Sequence, residues 1–194
     1  MNGFVGDSNH YNFMGKCNEG HEHCKFMGQI IAEAVRDMWD NTLDREDAPI
    51  SSEIEIVYNK TRCDNIEYYE DCVKLYATKD TTKTTPTGIS YPEAGRIISA
   101  VEIAPLFQKI PATVITIGDV AIVGLGGEAF TNYAEDVRQM CPDKFILTSC
   151  CTNGHEGYLP TTTAFKQGGY EVVTSPFSST IEEDCMKTIK KLMK

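Results

Sequence analysis

The sequence predicts an α/β fold, a mixed sheet flanked by helices. The first observation is a continuous apolar run, Val120–Leu125, bounded by Gly118 and Gly126, which is typical of a strand buried on both faces. The second is an apolar pattern at helical spacing that ends before Pro142: Phe130, Tyr133, Ala134, Val137 and Met140. The third is a second strand-like run that begins at Phe145 and ends near Cys151. Together they predict a strand–helix–strand unit.

The same patterns predict the elements around this unit. Residues 53–58 alternate polar and apolar, which indicates a half-exposed strand, and residues 112–117 predict another. Gly118-Asp119 is short enough to join that strand to the one at Val120 as a hairpin. The predicted helices are 25–39, 66–77, one that begins near Pro92 with Ser90 or Tyr91 as its cap, and 181–193.

Bulk properties exclude several classes of protein. A chain of 194 residues fits a single domain, 1–194. Its net charge of −10 argues against nucleic acid or an anionic membrane as the main partner. No apolar run approaches the roughly 20 residues of a membrane helix, and no secretory signal follows Met1. The chain has eight cysteines but is not a small, loop-rich secreted scaffold, so we expect reduced thiols and a cytoplasmic location. The vicinal cysteines Cys150 and Cys151 are expected to be small core residues.

Polar residues follow both strands of the central unit. Glu128 lies just past the first strand, and the loop from Asn153 to Tyr158 lies past the second. A right-handed crossover brings such strand ends to one edge of the sheet, so we expect Glu128 and Tyr158 to converge. Carboxylate and phenolate oxygens can bind a metal, although a tyrosine ligand needs the cation to lower its pKa. The alternatives are a carboxylate that stabilises a helix N-terminus and an aromatic ring packed on Pro160.

Two other patterns carry weaker predictions. Gly124-Leu-Gly-Gly-Glu-Ala129 fits a dinucleotide fingerprint, but the next strand ends without a carboxylate, and Glu128 would repel a pyrophosphate. Cys17, His21, His23 and Cys24 lie within eight residues, yet their spacing fits no usual structural zinc site. We therefore expect no nucleotide cofactor. Near Cys17 we expect a polar loop rather than a metal site, with the histidines exposed or near a helix start.

Four segments resemble the neutral/alkaline, non-lysosomal ceramidases and their bacterial relatives. Gly118–Thr131 is similar to the family's strand-Gly-Glu-Phe-Thr segment, and Asn153–Thr161 to its Asn-x-x-x-x-Tyr segment, with 165–171 as the tail of the same stretch. Gly6–His10 resembles its Gly-(Asp/Asn)-x-Ser-Pro-Asn segment, and 91–93 the segment before its late helix. The resemblance is specific over 118–171 and loose elsewhere.

This resemblance implies a zinc amidase that hydrolyses the amide of ceramide to sphingosine and a fatty acid. Glu128 and Tyr158 would be two of the four zinc ligands, and no catalytic residue is assigned. The family's two zinc histidines lie upstream of the Gly6 segment, none of the four histidines here matches them, and Asn9 replaces the motif serine.

We therefore expect the C-terminal half of a ceramidase-type catalytic domain with an incomplete zinc site, inactive as an isolated chain. Such a half would be a truncated product, a mis-started gene model or a separate subunit. Its implied partners are an upstream N-terminal half or a partner subunit, and a small-molecule or lipid amide as substrate. The sequence leaves open whether the chain forms a homo-oligomer. It also leaves open the alternative of a non-catalytic binding or scaffold module that kept the fold.

Overall fold

The computed structural model describes residues 2–9, 20–39, 41–42 and 47–194. Its contacts divide the chain into two compact units, residues 9–48 and residues 1–8 with 49–194. The prediction of a single domain over 1–194 stays a prediction. Within the described residues, no helix is both long enough and apolar enough to cross a lipid bilayer.

The smaller unit contains one described helix, α1, from Gly20 to Trp39. It covers the predicted helix 25–39 and begins five residues earlier, so His21 and His23 lie near a helix start, as expected, whereas Cys24 lies in the helix rather than in a loop. None of its residues is buried. Cys17 lies outside the described residues.

The larger unit is built on a four-stranded mixed sheet. Its strands are β1 (Ile50–Lys60), β2 (Phe107–Ile117), β3 (Val120–Leu125) and β5 (Phe145–Ser149), in the order β1-β2-β3-β5. β1 and β2 pair antiparallel, as do β2 and β3, whereas β3 and β5 are parallel. A second, two-stranded sheet is formed by β4 (Glu128–Ala129) and β6 (Tyr158–Leu159).

Six helices complete this unit. They are α2 (Tyr69–Ala77, after a 3₁₀ turn at Ile66–Tyr68), α3 (Tyr91–Glu102), α4 (Thr131–Met140), α5 (Thr162–Gln167), α6 (Tyr170–Thr174) and α7 (Ile181–Leu192). Ser90 caps α3 as predicted, because its side chain accepts a hydrogen bond from the Glu93 N–H at 3.4 Å. The short helices α5 and α6 were not predicted. The α/β class, with a mixed sheet flanked by helices, is confirmed.

The central unit has the predicted connectivity. β2 turns at Gly118-Asp119 into β3, with Ile117 opposite Val120, and Gly118 has a φ of 60° that favours glycine. α4 then crosses from β3 to the parallel strand β5. The carboxyl ends of β3 and β5 therefore lie at the same edge of the sheet, where the candidate site follows.

One face of the sheet forms the core with α4, α7 and the N-terminal segment. Its buried residues alternate along each strand: Val57 and Asn59 on β1, Ile110, Ala112 and Val114 on β2, Ala121, Val123 and Leu125 on β3, and Ile146 and Thr148 on β5. The helices contribute Tyr133 and Val137 from α4, and Ile181, Cys185 and Ile189 from α7. Cys151 is exposed with a φ of 52°, so the expectation of two core cysteines at 150 and 151 is wrong for the second.

Candidate metal centre

Glu128 and Tyr158 lie directly opposite each other on neighbouring strands. They are register partners in the parallel pair β4–β6, and Ala129 is opposite Leu159. The Glu128 N–H donates to the Gly157 carbonyl at 2.9 Å, which fixes this register. Residues opposite each other in a sheet project to the same face, so the carboxylate and the phenol share one side of β4–β6. The predicted convergence of the two residues is observed, whereas their role as metal ligands stays a prediction.

Two glycines before β4 allow close packing, Gly126 against β2 and Gly127 against β6 and the residue before it. A Cβ on Gly126 would lie 2.5 Å from Cδ of Pro111, and a Cβ on Gly127 would lie 2.8 Å from the Gly157 carbonyl oxygen. Both distances are shorter than side chains tolerate. The loop after β5 is tied to the same turn, because the Glu156 N–H donates to the Gly126 carbonyl at 2.8 Å. The Gly-Gly turn therefore holds both strands of the site together.

The N-terminal segment is hydrogen-bonded to β4 and to the start of α4. The Gly6 N–H donates to the Ala129 carbonyl at 2.8 Å. Asp7 accepts hydrogen bonds from the N–H of Thr131 at 2.7 Å and from its hydroxyl at 3.0 Å, and so caps α4. Sequence reasoning missed this role, although Phe130 before α4 has no side chain that could cap the helix.

A histidine from the same chain joins the pair. Nε2 of His155 lies 3.3 Å from Oε1 of Glu128, with the histidine side chain 72% exposed and the glutamate side chain 32% exposed. The fold thus places the His155 imidazole beside the carboxylate of the residue that lies opposite Tyr158 in the β4–β6 pair. Glu156 is exposed on the same loop.

The surroundings of Tyr158 disfavour its ionised form in the absence of a cation. Burial raises the pKa of the Tyr158 phenol, and the negative charge of Glu128 raises it further, with smaller contributions from Tyr170 and Glu171. A bound cation would reverse the effect of this negative field, because opposite charge favours the phenolate. The field at Tyr158 therefore suits a positive ion.

A cleft of about 540 Å³ adjoins the site. His155, Glu156 and Gly157 form part of its wall. Arg62 and Arg96 contribute two cationic groups elsewhere in the wall, and apolar residues such as Ile103 and Pro176 complete it. Burial, and then the neighbouring charge of Arg62, lowers the pKa of Arg96. The cleft could admit a ligand of small-molecule size to the side of the Glu128–His155 pair.

The four-ligand zinc site of the resemblance is not assembled from the described residues. Among them, no three histidine, cysteine, aspartate or glutamate side chains are grouped closely enough to hold a metal ion. The donor set that is present, a carboxylate and an imidazole with a neighbouring phenol, nevertheless consists of groups that zinc accepts. The residues fit part of a zinc site.

Comparisons with known proteins give a partial structural likeness. No family model matches the chain, and no curated protein matches it significantly. A ceramidase complexed with C2 is 12% identical over 58% of this chain and 16% of that structure, with a TM-score of 0.40. The neutral ceramidase from Pseudomonas aeruginosa is 11% identical over 74% of this chain and 28% of that structure, with a TM-score of 0.46. The chain thus spans less than a third of either structure, and scores this low carry no argument about its function.

Proposed function

We propose that this chain is part of a zinc-dependent amidase that resembles neutral ceramidase, and that Glu128 and Tyr158 are two of its metal ligands. The observation that carries the proposal is the direct opposition of these two residues in β4–β6. The sequence segments around both positions resemble ceramidase segments, and the fold brings together the two residues that the resemblance pairs. The proposed reaction is hydrolysis of the N-acyl amide of ceramide to sphingosine and a fatty acid.

This chain's own residues would hold the metal and define access to it. Glu128 and Tyr158 would bind through oxygen, and His155, 3.3 Å from the Glu128 carboxylate, would add a nitrogen ligand from the same loop. Zinc held there would supply positive charge that polarises an amide carbonyl and lowers the pKa of water. The cleft beside His155 would receive part of the substrate.

Zinc titration by calorimetry tests the ligand assignment without any activity assay. We expect weak binding to the isolated chain, and at least about tenfold weaker binding for Glu128→Ala and Tyr158→Phe, because closed zinc sites take four ligands and this one starts with fewer. Tyr170→Phe is the matched control, since the Tyr170 ring lies 6.2 Å from that of Tyr158 but is not a proposed ligand. Equal zinc affinity in all four proteins would refute the assignment.

Activity distinguishes the amidase from a scaffold module. Incubated with zinc and a fluorogenic ceramide, the isolated chain should show no turnover above the Glu128→Ala control, because its ligand set is short. Addition of a ceramidase N-terminal half that carries the two histidines should raise zinc affinity and produce turnover. Zinc affinity that does not respond to the added half would favour the non-catalytic alternative.

A further inference from the structure

The second face of the main sheet carries a continuous apolar surface. The side chains that alternate with the buried core residues of the four strands point to this face, which we call the open face. Its apolar members are Ile50, Ile54, Ile56 and Tyr58 on β1, Phe107, Ile115 and Ile117 on β2, Val120 and Ile122 on β3, and Phe145 and Leu147 on β5. The most exposed are Ile50 at 71%, Phe145 at 63% and Ile54 at 59%.

The orientation of β1 shows that its apolar side chains are not exposed merely because an edge strand packs loosely. On the covered face, Glu55 forms an ion pair with Lys191 of α7 at 2.6 Å, and Val57 is buried. Ile54 and Ile56 point to the open face. The opposite orientation of β1 would have buried them against α7. A half-buried antiparallel sheet normally shows polar residues on its solvent side, so an apolar solvent side indicates a surface that is covered in the working protein.

We propose that a second copy of this chain covers the open face, so that two sheets pack face to face in a symmetric dimer. The area suits this occupant. With strands about 4.8 Å apart and a rise of about 3.3 Å per residue, the paired strands span roughly 500 Å² in projection. Accessible area exceeds projected area, so each copy would bury an area approaching the roughly 800 Å² per partner of a standard interface.

Charge also favours a second copy over a partner of opposite charge. The chain carries a net charge of −10. The residues that alternate to the open face include no carboxylate, and their charged members are Lys60 and Lys109, which lie beside Phe107 and Tyr58 at one end. Two acidic copies can therefore meet at this face without opposing their carboxylates, whereas a basic partner would be attracted to other surfaces. Two sheets with the same right-handed twist are self-complementary when they pack at about −30°.

The candidate metal centre borders the open face. Thr113 and Gly124 lie at the end of that face, and the loop after β5 folds over them: the Asn153 side chain donates to the Thr113 hydroxyl at 3.0 Å, and Thr152 packs on Gly124. This loop carries His155. The second copy would thus lie next to the loop that lines the site, although the dimer does not depend on zinc or on the proposed activity.

Sedimentation velocity of the full chain over a wide concentration range, without metal, tests the dimer. We expect a concentration-dependent dimer, and at least about a 100-fold higher dissociation constant for Ile54→Glu and for Phe145→Glu, because each places a carboxylate in the interface twice. Val73→Glu is the matched control: Val73 is 38% exposed and belongs to α2 rather than to the sheet, so this variant should leave the dissociation constant unchanged. Circular dichroism of each variant shows that it has folded.

Three outcomes overturn the proposal. The first is a native chain that stays monomeric at every concentration, a result that needs no variant. The second is a dimer that is equally strong in Ile54→Glu, Phe145→Glu and the native chain. The third is a dimer that dissociates with Ile31→Glu in α1 but not with the two sheet variants, which would assign the interface to the exposed apolar residues of that helix.

Discussion

Substitution of Gly127 by alanine should separate the two strands of the candidate metal centre. The added Cβ would lie 2.8 Å from the Gly157 carbonyl oxygen and 3.0 Å from Cγ of Leu159. The carbonyl belongs to the backbone and accepts the hydrogen bond from Glu128, so relief of the contact requires β4 and β6 to move apart. The register that places Glu128 opposite Tyr158 depends on these same atoms.

The expected cost combines two effects. Overpacking of a close contact costs about 1–3 kcal/mol, and a weakened backbone hydrogen bond adds about 1 kcal/mol. We therefore expect Gly127→Ala to lower the free energy of unfolding by about 2–4 kcal/mol in urea denaturation. Zinc affinity should fall as well, because the two proposed ligands separate.

Gly28→Ala is the matched control for this substitution. Nothing lies within 4 Å of a Cβ added at Gly28, which is exposed in α1. Alanine is favoured over glycine inside a helix by about 1 kcal/mol, so this variant should not lose stability. A Gly127→Ala protein within about 0.5 kcal/mol of the native protein, with unchanged zinc affinity, would refute the reasoning, because overpacking alone predicts more.

Three further substitutions or treatments test other parts of the larger unit. Asp7→Ala should lower the free energy of unfolding by about 1 kcal/mol through loss of the α4 cap, and Asp7→Asn by less because it keeps an acceptor; equal losses in urea denaturation would contradict the capping role. Burial opposes ionisation of Asp64, but the hydrogen bond from Arg62 and the positive charges of Arg96 and Arg62 together outweigh it, so the pKa of Asp64 is lowered. Its ionised form therefore stabilises the fold above the unfolded pKa of about 3.9, and this stability is lost as pH falls through the lower folded pKa. Asp64→Asn should thus be destabilising at pH 7, and its deficit should shrink in acid; a deficit independent of pH would argue against the ion pair. Burial raises the pKa of the Cys185 thiol strongly, so alkylation followed by peptide mass spectrometry should label exposed Cys151 well before Cys185, and simultaneous labelling would show that the core opens.

The sequence determined the central unit because its signals are local. The apolar run of β3, the helical period of α4 and the apolar start of β5 each depend on residues close together in the chain. A parallel strand–helix–strand connection has one favoured hand, so the convergence of Glu128 with Tyr158 followed from topology without any contact being known. The Gly118-Asp119 hairpin and the Ser90 cap were predictable for the same local reasons.

Tertiary structure alone decided what depends on distant partners. The alternation in β1 predicted a half-exposed strand, but only the position of α7 shows that Glu55 faces the helix and Ile54 faces solvent. The cap on α4 comes from Asp7, 124 positions away, and no local pattern specifies that partner. The distance from His155 to Glu128 depends on how the loop after β5 folds back on the Gly-Gly turn. Periodicity determines which residues share a face, but the packing of the whole chain determines which face is covered and which side chains meet there.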